Sequence, residues 1–64
     1  MKIKTLTLKS ILEMNDLFYV EKRRGLFGYY LIIYNARSWI IGSTKEYEEK
    51  RIDNFIKNHN LREF

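Results

Sequence analysis

Apolar and polar residues alternate through the middle of the chain, as they do in strands that bury one face and expose the other. The alternating segments are rich in aromatic and β-branched residues, which favour strands. Gly25 and Gly28 bound a turn after the first segment, and the run Asn35–Arg37 forms a tight turn after the second. We expect strands at about 17–24, 29–34 and 38–41.

The C-terminal part of the chain repeats instead with the period of an amphipathic helix. Its apolar stripe consists of Tyr47, Ile52, Phe55, Ile56 and His59. Ser43 and Glu46 have the spacing of a capping box, in which each side chain bonds the backbone N–H of the other residue. Acidic residues precede basic ones along this segment, as the helix dipole favours. The pattern predicts a helix over about 44–58, and Asn58 or Asn60 supplies its stop.

The N-terminal segment is shorter and less regular. Residues 2–7 alternate in the manner of a short edge strand, and Leu8, Ile11 and Leu12 have the helical spacing i, i+3 and i+4, which predicts a short helix over about 8–14. The sequence has no proline, linker or repeat. We therefore expect one domain, 1–64, of the α+β class, in which a three-stranded antiparallel sheet is packed by the C-terminal helix.

The glycine turn sets the register of the first hairpin, because it places Arg24 opposite Tyr29. The pairs that follow are Val20 with Ile33 and Lys22 with Leu31. We expect the core face to hold Phe18, Val20, Leu31 and Ile33, and Trp39 to join the core. The opposite face then shows Tyr19, Glu21, Arg23, Tyr30, Ile32 and Tyr34, with Arg37 and Ile40 nearby.

Composition and charge narrow the function classes. The net charge is +4 with a pI near 9.5, and a basic balance favours polyanionic partners. The chain has no cysteine and one histidine, His59, so a thiolate zinc site and a histidine-rich metal site are excluded. We expect no metal and no cofactor. The apolar runs are too short to cross a bilayer and no signal peptide is evident, so we expect a cytoplasmic protein without a membrane partner.

Tyrosine and arginine interleaved on a sheet face suit nucleic acid, because arginine contacts phosphate or guanine and aromatic rings stack on bases. The basic run 22–24 lies at a hairpin end, where it would follow a groove. The expected binding residues are Lys22, Arg23, Arg24, Tyr30, Tyr34 and Arg37. We expect a small, non-catalytic nucleic-acid-binding protein of phage or mobile-element type, with DNA as partner in preference to RNA.

A second interpretation stays open. The same tyrosine and isoleucine face suits a protein partner or a second copy of the chain in a homodimer. The order of elements is similar to that of small anti-CRISPR inhibitors, which would make the protein an inhibitor of a host or phage protein. The best-known of those inhibitors are acidic DNA mimics, and the charge of +4 departs from that pattern.

Gly28-Tyr29-Tyr30, then Ile40-Ile41-Gly42, then a charged helix resembles the GIY-YIG endonuclease motif. The resemblance covers residues 28–52 and implies roles at a scissile phosphate for Tyr30 and for Lys50 or Arg51. Ile40 stands where the family has its second tyrosine, and no counterpart of the metal-binding glutamate is identified. A degenerate GIY-YIG-like nuclease fragment is therefore the second alternative.

The order of three strands and a helix is also similar to AP2 and phage-integrase DNA-binding domains. That similarity implies a sheet that enters the major groove, with Arg23, Arg37 and Trp39 as the counterparts by their positions in the strands.

Overall fold

The computed structural model describes residues 4–15 and 17–63. Its elements are β1 (Lys4–Leu6), α1 (Leu8–Leu12), β2 (Tyr19–Arg24), β3 (Tyr29–Tyr34), β4 (Ile40–Thr44) and α2 (Glu49–Asn58). The α+β class is confirmed, but the three-stranded antiparallel sheet is wrong in detail. The sheet has four strands in the order β1-β4-β3-β2, and it is mixed because β1 runs parallel to β4.

The predicted register of the first hairpin is confirmed. Arg24 pairs with Tyr29 across the glycine turn. The pairs Val20 with Ile33 and Lys22 with Leu31 follow. Since side chains alternate along a strand, this register decides which residues face the helices and which face away from them.

The fourth strand comes from the N-terminal segment. Lys4 pairs with Gly42, and Leu6 pairs with Thr44. A Cβ atom at position 42 would lie 2.6 Å from the carbonyl oxygen of Lys4, so glycine permits this close approach of β1 to β4. The rest of the expected N-terminal strand, residues 2 and 3, lies outside the described residues. The short helix expected near 8–14 is present as α1.

The boundary between β4 and α2 differs from the prediction. The strand expected at 38–41 is β4, which continues through Thr44. The capping box is wrong, because Ser43 pairs with Ile32 in the sheet and the Glu46 carboxylate accepts a hydrogen bond from the backbone N–H of Phe27. Helix α2 begins at Glu49, after an N-cap residue, Glu48, whose side chain makes no capping hydrogen bond.

The end of α2 agrees with the sequence prediction. The helix ends at Asn58, and Asn60 adopts a left-handed φ of 50°. The backbone N–H of Leu61 then donates to the carbonyl of Ile56 at 3.1 Å. This arrangement satisfies a carbonyl of the last helical turn, which is the usual role of a left-handed residue after a helix.

The core lies between one face of the sheet and the two helices. Its buried residues are Leu6, Ile11, Val20, Leu31, Ile33 and Ile52. Two expected core residues are outside it. Phe18 is 43% exposed, because it precedes β2. The Arg62 guanidinium carbon lies over the Phe18 ring, 4.7 Å from its centroid. Trp39 is 64% exposed, because it belongs to the turn before β4 rather than to the strand.

Neither α1 nor α2 is long and apolar enough to cross a membrane, and these are the helices of the described residues.

Candidate functional site

The sheet face turned away from both helices is called the outer face here. It is formed by Tyr19, Glu21, Arg23, Tyr30, Ile32 and Tyr34 of β2 and β3, with Ile40 and Ser43 of β4 and Thr5 of β1. The core cluster, which includes Ile11 of α1 and Ile52 of α2, lies on the opposite face of the sheet. Ile32 is nonetheless buried, and Tyr30 and Tyr34 are its neighbours on the same face, two residues away in each direction along β3. The outer face is therefore an aromatic and polar surface with a small apolar centre.

A polar network orders the middle of the outer face. The Glu21 carboxylate accepts hydrogen bonds from the Arg23 guanidinium, with Nε at 2.9 Å, and from the Tyr34 hydroxyl at 2.8 Å. The Arg23 guanidinium also lies 3.3 Å from the Tyr34 hydroxyl oxygen. Three side chains from two strands are thereby held in one arrangement, and the charge of Arg23 is balanced locally by Glu21.

The network shifts the titration of its acidic members. The hydrogen bond from the Tyr34 hydroxyl, and then that from Arg23, holds the pKa of Glu21 below its usual value. Burial, and then the hydrogen bond to Glu21, raises the pKa of Tyr34. At neutral pH Glu21 is therefore ionised and Tyr34 is neutral, which is the state that maintains the network.

Aromatic rings continue the surface past this network. The rings of Tyr19 and Tyr34 stack with centroids 4.6 Å apart and an interplanar angle of 12°. Phe18 meets Tyr19 edge to face, with centroids 5.8 Å apart. Stacked and edge-to-face ring pairs contribute to stability beyond their buried area. They also form a continuous aromatic surface at the start of β2.

Lys22 is separated from the other predicted site residues. It lies on the helix side, where its Nζ atom contacts Glu49 Oε2 at 3.0 Å and Asp53 Oδ1 at 2.8 Å. The hydrogen bonds to Asp53 and Glu49 raise the pKa of Lys22. This lysine ties β2 to α2, so its contacts are structural, whereas Arg23, Tyr30 and Tyr34 meet on the outer face.

The β2–β3 hairpin tip is strongly apolar and exposed. Leu26 and Phe27 are each 91% exposed. The loop is closed by a hydrogen bond of 2.6 Å from the Gly25 N–H to the Gly28 carbonyl, and the Glu46 carboxylate accepts from the Phe27 N–H. Neither Gly25 nor Gly28 has a positive φ angle. The tip is thus held by hydrogen bonds while its two apolar side chains point into solvent.

A groove opens between this tip and the outer face. It is lined by Thr5, Gly25, Phe27, Tyr30, Ser43, Thr44, Lys45 and Glu46. The lining combines two aromatic rings, several hydroxyl groups, one cation and one carboxylate. No ion pair of the described residues includes Lys45, nor Arg24 at the base of the hairpin. Positive charge at this end of the sheet is therefore uncompensated by side-chain pairing.

The opposite end of the sheet carries Arg37. The Asn35 side-chain oxygen accepts from the backbone N–H groups of Arg37, at 2.9 Å, and Trp39, at 3.0 Å, and Ser38 has a left-handed φ of 63°. This turn leaves Arg37 exposed without an ion pair in the described part of the chain. Phe18, Arg37 and Trp39 line a shallow depression there.

The residues that carry the nuclease resemblance lie on two sides of the sheet. Tyr30 and Ile40 are on the outer face, whereas Lys50 and Arg51 are exposed on α2, where the Arg51 guanidinium lies 4.7 Å from the centre of the Tyr47 ring. Within residues 4–15 and 17–63, no three acidic or histidine side chains are grouped so that they could hold a metal ion. No protein-family model, curated protein or solved structure matches the chain.

Sequence reasoning missed the hairpin tip and Lys45. The sequence pattern predicts only a turn at the tip, and it includes Lys45 in the C-terminal helix, which in the structure begins at Glu49. A signal was present, since turns ordinarily carry polar residues and Gly25-Leu26-Phe27-Gly28 carries two large apolar ones. Large apolar residues where no core can form indicate a contact surface.

Proposed function

We propose that this protein binds nucleic acid, with DNA in preference to RNA, and that it acts without catalysis. The observation that carries the proposal is the outer face, which presents Arg23, Tyr30 and Tyr34 and is left open by both helices. Aromatic rings can stack on bases, and arginine can pair with phosphate or guanine. Of the six residues expected to bind, Lys22 is the one that we leave out, because it is engaged with α2.

Phosphate contacts are assigned to the cations without acidic partners. Arg24 ends β2 at the hairpin end of the sheet, where strand alternation places it on the same side as Lys22, and Arg37 lies in the turn after β3 at the opposite end; both are exposed. Arg23 is already balanced by Glu21 and is held beside Tyr34, which suits positioning of a base more than neutralisation of a phosphate. A nucleic acid lying along the sheet would therefore be held at both ends and contacted by rings between them.

Arg24→Ala combined with Arg37→Ala should weaken binding of fluorescently labelled DNA about tenfold at about 50 mM salt. The slope of log affinity against log salt concentration should become shallower by the amount that about two phosphate contacts contribute. The matched control is Lys50→Ala with Lys57→Ala, which removes the same charge from α2. Both double variants share the effect of losing two positive charges. Apart from that shared effect, the control should change affinity less than about twofold. Fluorescence anisotropy in about 50 and 200 mM salt measures both quantities.

An equal loss from both double variants would mean that only net charge matters, and the proposed face would be wrong. Failure of every duplex and single-stranded oligonucleotide to bind would favour the second candidate, a protein partner or a second copy of the chain. One observation supports that candidate: Phe18, Trp39 and Ile40 are exposed at the Arg37 end of the sheet. Clustered exposed aromatic residues are typical of protein interfaces.

A further inference from the structure

We infer that the hairpin tip and its groove form a binding site for unpaired bases, so that the ligand class is single-stranded nucleic acid. The inference rests on the proposed function and deepens it. The central residue is Phe27, whose ring is 91% exposed at a tip that hydrogen bonds hold in place. Phe27 belongs to none of the residues that the sequence predicted to bind.

The tip is built to present the ring rather than to bury it. A Cβ atom at Gly28 would lie 2.5 Å from the carbonyl oxygen of Tyr47, so the hairpin is pressed closely against the chain that follows β4. Tyr29 and Tyr47 exchange backbone hydrogen bonds at 2.7 Å in both directions. A tip fixed in this manner loses little conformational entropy when a ligand covers it, which favours binding.

The groove supplies the other parts of a nucleotide site. Phe27 and Tyr30 both line it and offer two ring surfaces for successive bases. The Thr5 and Ser43 hydroxyl groups can donate to or accept from base edges. Lys45 provides a cation, free of ion pairs in the described part of the chain, for the connecting phosphate.

Glu46 is the one group in the groove that opposes an anionic ligand. Its carboxylate accepts the hydrogen bond of the Phe27 N–H and lies over Gly25, where an added Cβ would meet it. The carboxylate is therefore turned toward the hairpin backbone, and the phosphate position falls to Lys45. Arg24, at the base of the same hairpin, adds positive charge to this end of the sheet.

Unpaired bases fit this site better than a duplex or a lipid surface does. In a duplex the base faces are covered by their neighbours, so stacking on Phe27 would first require the unfavourable unstacking of a base step. Unpaired bases expose those faces already. A lipid surface would accept Leu26 and Phe27, but the hydroxyl groups and the carboxylate along the groove do not match acyl chains.

The test compares substitutions at position 27, which should leave the fold unchanged because the Phe27 side chain is almost fully exposed. Labelled oligo(dT) and oligo(rU) of about 12 nucleotides serve as probes, because small sheet-based modules cover a comparable length. Phe27→Ala should weaken oligo(dT) binding about tenfold, Phe27→Leu should weaken it as much, and Phe27→Tyr should stay within about twofold of wild type. Leu26→Ala is the matched apolar control and should have a smaller effect. A duplex of the same length should bind less tightly and respond little to position 27.

Several results would overturn the inference while leaving the proposed function intact. Wild-type affinity in Phe27→Leu would mean that the ring does not stack. Duplex binding as tight as that of oligo(dT) would remove the single-strand assignment. Sensitivity to Arg24→Ala with Arg37→Ala, but not to Phe27→Ala, would place the nucleic acid elsewhere on the sheet.

Sedimentation with phosphatidylserine vesicles that is lost in both Leu26→Ala and Phe27→Ala would assign the tip to a lipid surface and overturn the inference. Absence of wild-type binding to oligo(dT), oligo(rU) and duplex alike would overturn the proposed function and, with it, this site.

Discussion

The buried hydroxyl of Thr44 provides the acceptor for one backbone N–H of β3. Thr44 is 6% exposed, and its oxygen accepts the backbone N–H of Leu31 at 3.0 Å. The threonine lies at the end of β4, where the regular ladder with β3 has stopped at the pair Ile32–Ser43. A side chain thus takes the place of a strand carbonyl, since a buried N–H without a partner is costly.

Thr44→Val should therefore lower the free energy of unfolding by about 1–3 kcal/mol, because it keeps the shape of the side chain and leaves the Leu31 N–H unsatisfied. Thr44→Ser keeps the hydroxyl and serves as the control; it should lose only the contribution of one buried methyl group, about 1 kcal/mol. Urea denaturation followed by circular dichroism measures both variants. Equal stability of Thr44→Val and wild type would show that the hydroxyl is dispensable.

Among the elements, those determined by local rules were predicted and those determined by distant contacts were not. The hairpin of β2 and β3 follows from alternation and a glycine turn, so its register could be predicted. The parallel pairing of β1 with β4 joins residues 38 positions apart in sequence, as in Lys4 with Gly42, and no local pattern specifies it. The sequence at Ser43–Glu46 fits a capping motif, but the motif does not form. Ser43 instead pairs with Ile32 in the sheet, and Glu46 accepts a hydrogen bond from the Phe27 N–H.

The observed start of α2 leads to a prediction at Glu48. This residue has an extended backbone, with φ −65° and ψ 144°, yet its side chain makes no capping hydrogen bond. Glu48→Asp shortens the side chain to a length that caps well, and should raise the free energy of unfolding by about 0.5–1 kcal/mol. Ser43→Ala is the control and should change it by less than about 0.5 kcal/mol. A loss near 1 kcal/mol in Ser43→Ala would instead support the capping box, and chemical denaturation separates the two outcomes.

Across the whole molecule, the sheet divides the charges between two environments. On the helix side Lys22 is held by Glu49 and Asp53, and on the outer face Arg23 is held by Glu21. Alternation predicted which side each cation takes, and it predicted the grouping of Arg23, Tyr30 and Tyr34. It could not predict that Lys22 would be neutralised, because its partners lie 27 and 31 residues away in sequence. Arg24, Arg37 and Lys45, which have no ion pair in the described part of the chain, lie at the ends of the sheet.

These paired groups also set how stability depends on pH. The folded-state pKa of Glu21 is lowered, so its contribution is complete above the usual value of 4.5 and is lost as the pH falls through the lowered value. The folded-state pKa values of Lys22 and Tyr34 are raised. Their contributions are complete below the usual values of 10.5 and 10.0 and are lost as the pH rises above them. The free energy of unfolding should therefore be nearly constant through neutral pH and should fall at both acidic and alkaline extremes.

Two substitutions separate the two limbs of this profile. Glu21→Gln removes the acidic titration, so the difference from wild type should be largest at neutral pH and should be lost as the pH falls through the lowered pKa of Glu21. Lys22→Met keeps an unbranched side chain of similar length and removes the charge, which in wild type lies over the Tyr29 ring with Nζ 5.4 Å from the centroid. Its difference from wild type should therefore shrink only above about pH 10.5. Both are exposed enough for salt to weaken the effect, and each difference should be smaller in about 1 M salt than in about 0.1 M. Urea unfolding across the pH range checks the shapes, and a pH-independent deficit in either variant would mean that lost packing, not charge, explains its instability.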